Sequence, residues 1–268
     1  MSGALRRNER VLRVASGFVI GFTIVLVIAP ALLTILLSFS DDAAIGFPPK
    51  SWGVQNYVDL FSSTKWLDPL MLSLQLSVGG AVIALVLGVP TLLALHRSRV
   101  PFRGAIEGWS LVSMILPGAV YAVAMYGVFQ QFGLNGTHVG LMLMYGILAV
   151  PMVVILGSAA LRQISQELEL VAYTLGARRF RALFGVTLRL VLPAMLASAL
   201  MAFITGFEEA VFINFLGGPG LKTLPKAISD SVMYGSDPTI TAISAILVVA
   251  TSIAIALPMA LSREEKRT

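Results

Sequence analysis

Six apolar stretches leave this chain few folds to choose from: Val14–Ser38, Pro69–Leu95, Trp109–Phe129, Val139–Leu161, Leu190–Leu216 and Thr239–Leu261. A helix rises about 1.5 Å per residue, so about 20 apolar residues cross the ~30 Å hydrocarbon layer of a bilayer. Each stretch is long enough. Within lipid every backbone polar group needs a partner inside the chain, so runs of this length are expected to be helices. The pattern predicts an all-α polytopic membrane protein, with six transmembrane helices in one domain over residues 1–268. Composition agrees: 57% of residues are hydrophobic and 12% charged, with a mean hydropathy of +0.86. Soluble domains carry about 25% charged residues. The stretch from Val14 is too long for the apolar part of a signal peptide and is read as an uncleaved first span. Gly17 and Gly21 form a small-xxx-small pair on it that allows close helix approach.

Of the 19 basic residues, all but Lys50, Lys65, Lys222 and Lys226 fall in the termini or in the second and fourth connections. Positive charge accumulates on the cytoplasmic side, which places both termini there together with the Arg162–Leu190 connection. The formal charge of +5 is explained by this bias, and no nucleic-acid partner is expected. The chain has no cysteine, and His96 and His138 lie at opposite membrane faces, so no metal site is expected. The string Gly217–Thr223 lacks the Gly-Lys pair of a phosphate loop. No hydrolase motif and no catalytic set is present, so energy for any uphill process has to come from elsewhere.

The connection at about residues 162–190 is far longer than a link between neighbouring helices requires. Read as a helix from Gln166 to Leu175, it places Glu169, Ala172 and Gly176 on one face beside an apolar stripe of Leu168, Val171 and Leu175. Gly176 is a natural helix stop, after which Ala177, Arg178, Arg179 and Arg181 turn to water, lipid headgroups or a partner's carboxylates. Physical pattern alone leaves two readings open: a handle gripped by another protein, or a helix resting on the membrane.

A second feature is the acidic pair Glu208–Glu209 inside the fifth stretch. A charge at mid-membrane costs about 2.5–3.5 kcal/mol on insertion scales, so it needs a wet cavity, a partner or protonation. On a continuous helix Thr205, Glu208, Phe212 and Phe215 share a face, and Glu209 sits nearer Ile213. A carboxylate beside aromatic rings suits an ammonium group. The alternative is that one or both Glu residues bond to a neighbouring helix or second subunit.

The 162–190 connection resembles the cytoplasmic coupling loop of ABC importer permeases, Glu-Ala-Ala-x-x-x-Gly followed after nine residues by Ile-x-Leu-Pro. Gly176 and Ala172 fill the Gly and second Ala, and Val186 and Leu188 fill the Ile and Leu positions. Leu170 stands at the Glu position, with Glu169 and Glu167 nearby; Val171 replaces the first Ala and Arg189 the Pro. The segments LSFSDD, SWGVQNYVDLF, GFEEAVFINFLGGPGLKTLP and SDPTITAISAIL resemble the spermidine/putrescine branch of these permeases. The resemblance implies a coupling helix between helices four and five and a bacterial inner-membrane location. It also implies a homologous permease partner, two ATPase subunits and a periplasmic solute-binding protein. ATP-Mg would sit on the partner subunits, with no cofactor on this chain. Glu167, Glu169, Ala172, Gly176, Ala177, Arg178 and Arg179 would couple to the ATPase. Glu208, Glu209, Thr205 and Phe212 would line a pathway for a polyamine or related cation. An importer of another small solute, or a proton-coupled carrier titrating Glu208 or Glu209, are the competing readings.

Overall fold

A computed structural model describes residues 2–97, 114–165, 167–235 and 237–265, with residues 104, 108 and 112. The helices are α1 (Ser2–Leu37), α2 (Gln55–Ser62), α3 (Thr64–Arg97), α4 (Gly118–Gln131), α5 (His138–Arg162), α6 (Glu167–Thr174), α7 (Arg179–Ala182), α8 (Leu188–Glu208), α9 (Val211–Leu216), α10 (Leu224–Tyr234) and α11 (Thr239–Glu265). A single π-helical turn, Leu183–Thr187, joins α7 to α8. Among the described residues there is no strand, and the all-α expectation holds.

Among the described residues four helices are long and apolar enough to cross a membrane: Ala15–Leu37, Thr64–Leu95, His138–Arg162 and Phe180–Glu208. A shorter apolar helix covers Thr239–Ile253. Of the expected third stretch, residues 109–111 and 113 lie outside the described residues, Val112, Met114 and Ile115 are helical, and α4 supplies the second half.

The chain divides into two compact units, Met1–Leu67 with Asp230–Thr268, and Asp68–Ser229. In the first, α1 and α2 both pack on α11. Polar ties close its loop end. The Ser38 and Tyr57 hydroxyls are 2.6 Å apart, and Asn56 Nδ2 donates to the Ser40 carbonyl at 2.7 Å. The Asp42 carboxylate receives the Lys50 and Ser51 amides and the Ser51 hydroxyl, and these bonds hold its pKa below the usual carboxylate value. Lys65 Nζ meets Asp237 Oδ2 at 2.6 Å, and Asp237 Oδ1 accepts from the Thr239 amide at the start of α11. The span window of α1 has none of its residues buried, and a Cβ on Gly17 or Gly21 would meet nothing within 4 Å. Among the described residues no close approach is made at that pair.

The close seam lies in the second unit, where α5 packs against α3 and α8. A Cβ on Gly80 would come 2.8 Å from Tyr145 Cβ, and one on Gly88 2.7 Å from Val153 Cβ. From the other side, a Cβ on Gly146 would stand 2.4 Å from Ile83 Cγ2. Lipid supplies no hydrophobic drive between helices, so close backbone approach through small residues is what holds such a seam. Two apolar clusters flank it. One gathers Leu76, Ala122, Phe129, Tyr145, Phe212 and Leu216; the other gathers Ala84, Leu92, Val153, Leu161, Val191 and Met195.

The fifth stretch, expected as one helix from Leu190 to Leu216, is broken. Its helix ends at Glu208, Glu209 is extended (φ −73°, ψ 115°), and α9 restarts at Val211. The cause is local. Glu209 Oε1 accepts from the Val211 amide at 2.6 Å and the Phe212 amide at 3.2 Å, taking the first free N–H groups of α9.

Candidate functional site: a helical hairpin and an acidic helix break

The 165–190 region folds as a short helical hairpin. Ser165 begins it, accepting from the Glu167 amide with its hydroxyl and from the Leu168 amide with its carbonyl. The helix stops at Gly176, whose φ of +84° only glycine adopts without strain. The Ala177 amide donates to the Ala172 carbonyl at 2.9 Å and the Gly176 amide to the Tyr173 carbonyl at 3.0 Å, the paired bonds of a Schellman stop. Only Leu175–Arg178 separate α6 from α7, and α6 packs on both α7 and the π-helical turn.

This packing decides which face of α6 is open. Ala172 and Tyr173 are half-buried against the chain itself, and so is Glu169, whose carboxylate accepts from the Thr187 hydroxyl. The apolar stripe is open instead: Leu168, Val171 and Leu175 are 45%, 53% and 82% exposed, with Phe180 exposed beyond the turn. Glu167, Gly176 and Arg178 are exposed and Ala177 is half-buried; the side chain of Arg179 lies outside the described residues. The small-residue face expected to receive a partner is thus turned inward at Glu169 and Ala172, and only Gly176 of that face is open.

At the break between α8 and α9 the two acids part company. Glu208 is exposed, with no hydrogen bond or ion pair among the described residues, whereas Glu209 is partly buried and folded back as the cap of α9. The Glu209 carbonyl also lies 3.4 Å from the Tyr145 hydroxyl, which donates to it from α5. Thr205 is half-buried. Phe212 is 1% exposed, its ring edge-on to Tyr121 with centroids 5.8 Å apart. The break interrupts the helical register expected between Glu208 and Phe212, with the carboxylate exposed and the ring buried. Near α9 the Lys226 ammonium donates to Asn214 Oδ1.

Thr187 and Tyr145 were not singled out from sequence. Tyr145 sits in an apolar stretch where a hydroxyl reads as ordinary helix packing, and Thr187 falls at the unspecified position between Val186 and Leu188 of the loop pattern. Nothing short of the tertiary fold pairs them with Glu169 and Glu209. Among the described residues no group of His, Asp and Glu could hold a metal ion.

Helices of membrane-crossing length, with a helical hairpin leading into one of them, mark a polytopic membrane protein. The chain belongs to the family described as binding-protein-dependent transport system inner membrane component, whose pattern matches residues 80–263, more than half of its length. It is 26% identical over 238 residues to the spermidine/putrescine transport system permease protein PotC of Escherichia coli (strain K12), covering 89% of this chain and 90% of that one. To the putrescine transport system permease protein PotI of the same strain it is 25% identical over 243 residues, covering 87% and 85%. The fold matches a chain of a bacterial ABC transporter involved in the import of the acidic polysaccharide alginate, with a TM-score of 0.73 over 96% of this chain and 97% of that one, at 16% identity. The chain is an inner-membrane permease subunit of an ABC importer, a transport component and not an enzyme.

Proposed function

We propose that this chain pairs with a homologous permease to form the pathway of an ATP-driven importer for a small cationic solute of the polyamine class. The observation that carries the reading is the near full-length similarity to two polyamine permeases, and Glu208, exposed and without an ion pair among the described residues, supports it chemically. In this reading the chain is one permease domain of six spans with both termini cytoplasmic. The α6–α7 hairpin is its coupling element, and the open Leu168–Val171–Leu175 stripe with Glu167 and Arg178 faces one of two ATPase subunits, which hold ATP-Mg. A periplasmic binding protein delivers the solute, and this chain needs no cofactor of its own. A carboxylate on the path lowers the cost of moving an ammonium through a low-dielectric region, and Glu208 takes that role while Glu209 maintains the break.

The test is uptake of labelled putrescine and spermidine by cells expressing the complete transporter, with and without its ATPase. Energised uptake that disappears with the ATPase supports the reading. Uptake that persists without it, driven by a proton gradient and abolished by Glu208→Gln or Glu209→Gln, points to a secondary carrier. ATPase-dependent uptake of another solute in place of polyamines keeps the importer and discards the substrate class.

A further inference from the structure

We infer that Glu169 is an internal tie and not a contact to the ATPase: through Thr187 it fixes α6 to the root of α8, so that the hairpin and α8 move as one body. This rests on the coupling role proposed above and assigns the part played by its displaced acid.

The acid of the coupling pattern would stand at 170, where this chain has Leu. A shift of one residue rotates a side chain about 100° around a helix. Residue 170 points outward, with Leu170 59% exposed, and Glu169 is therefore carried to the inner face. There its carboxylate accepts from Thr187, which is only 3% exposed. A hydrogen bond to an ionised carboxylate is roughly twice as strong as a neutral one.

The placement of Thr187 gives the bond its mechanical meaning. Thr187 ends the π-helical turn Leu183–Thr187, which runs without interruption into α8. Such single π turns recur at functional sites and widen the helix locally. The glycine stop at 176 allows only a few residues between α6 and α7. Chain connectivity at one end of the hairpin and the Glu169–Thr187 bond at the other leave α6 little freedom to pivot. Displacement of α6 is then delivered to α8, at whose far end Glu208 and the capped break lie. Glu167, exposed in the first turn, is the acid left to meet a partner. Glu169 is a positioning residue.

The chain has no cysteine, so a Glu169→Cys/Thr187→Cys variant carries a single pair. In native membranes holding the whole transporter, oxidation is expected to cross-link that pair within the chain at a rate unchanged by MgATP with vanadate. Putrescine uptake by the cross-linked protein is expected to stay within twofold of the same protein after reduction. Failure to cross-link, a rate that changes severalfold with MgATP and vanadate, or a tenfold loss of uptake reversed by reduction would each overturn the tie. A second arm compares Glu169→Gln, Thr187→Val and their double variant by ATP hydrolysed per putrescine imported. Each single variant is expected to raise that ratio severalfold, with the double no worse and Thr187→Ser normal, while the ATPase stays bound. Loss of the ATPase with Glu169→Gln, beside a silent Thr187→Val, would show Glu169 to be a partner contact. If the unaltered transporter imports no putrescine, the transport reading fails, and the cross-linking rates alone decide the tie.

Discussion

At the scale of single residues, neighbouring side chains of like chemistry have been given different work. Glu208 and Glu209 are adjacent, but a helix end falls between them, so one faces outward and the other caps α9. Glu208→Gln should lower uptake of a cationic solute about tenfold, equivalent to about 1.4 kcal/mol, with the detergent-solubilised protein melting as before. Glu209→Ala should instead reduce stability by about 1 kcal/mol through loss of the cap, read as a lower melting temperature. Identical effects from the two changes would contradict the division. Gly176 is a backbone case. Among the described residues nothing lies within 4 Å of a Cβ built there, so its cost on substitution is the left-handed conformation and whatever approaches from outside the chain. Gly176→Asn should fold nearly as well as the native protein, because Asn tolerates that conformation, whereas Gly176→Ala should lose about 1 kcal/mol. Gly176→Trp adds bulk on an open face and should uncouple ATP turnover from uptake with the protein still inserted. Normal transport by Gly176→Trp would remove close docking at that face.

At the scale of elements, glycines of the same type act in opposite ways according to what faces them. Gly80 and Gly146 lie in the α3–α5 seam against Tyr145 and Ile83, while Gly17 and Gly21 face open space on α1. Gly146→Leu should cost about 1–3 kcal/mol by overpacking, seen as a lower midpoint in thermal melts in detergent. Gly21→Leu should leave that midpoint unchanged for the isolated chain. The small-xxx-small pattern on α1 was visible in sequence, but a pattern does not reveal which helix comes close. The break in the fifth stretch was hidden for a related reason. Ala210, Val211 and Phe212 continue an apolar run, and only the capping bond from Glu209 interrupts it. The same holds for α6, where helical periodicity placed Glu169 and Ala172 on one face correctly. Which face would be covered depended on α7 and the π-helical turn folding back against it.

For the whole molecule, the unit holding both chain termini closes on the Lys65–Asp237 ion pair. Burial raises the Asp237 pKa, but the bonds from Lys65 and Thr239 outweigh it and hold the carboxyl below its usual 3.8. A depressed carboxylate stabilises the fold at pH above its unfolded value, and that contribution is lost as pH falls through the lower folded value. Asp237→Asn should therefore cost about 0.5 kcal/mol near neutral pH and nothing in strong acid, measured by melting across a pH series. An equal cost at all pH values would mean that the charge contributes nothing. Sequence by itself determined that this protein is helical, membrane-embedded and of the importer permease family, because hydrophobic length and a spaced loop motif are properties of the chain in order. Tertiary structure decided that Glu169 turns inward, that Glu208 alone of its pair stays open, and which glycines form the seam. Those outcomes depend on which distant segments compete for a face or a hydrogen bond, and linear order does not carry that information.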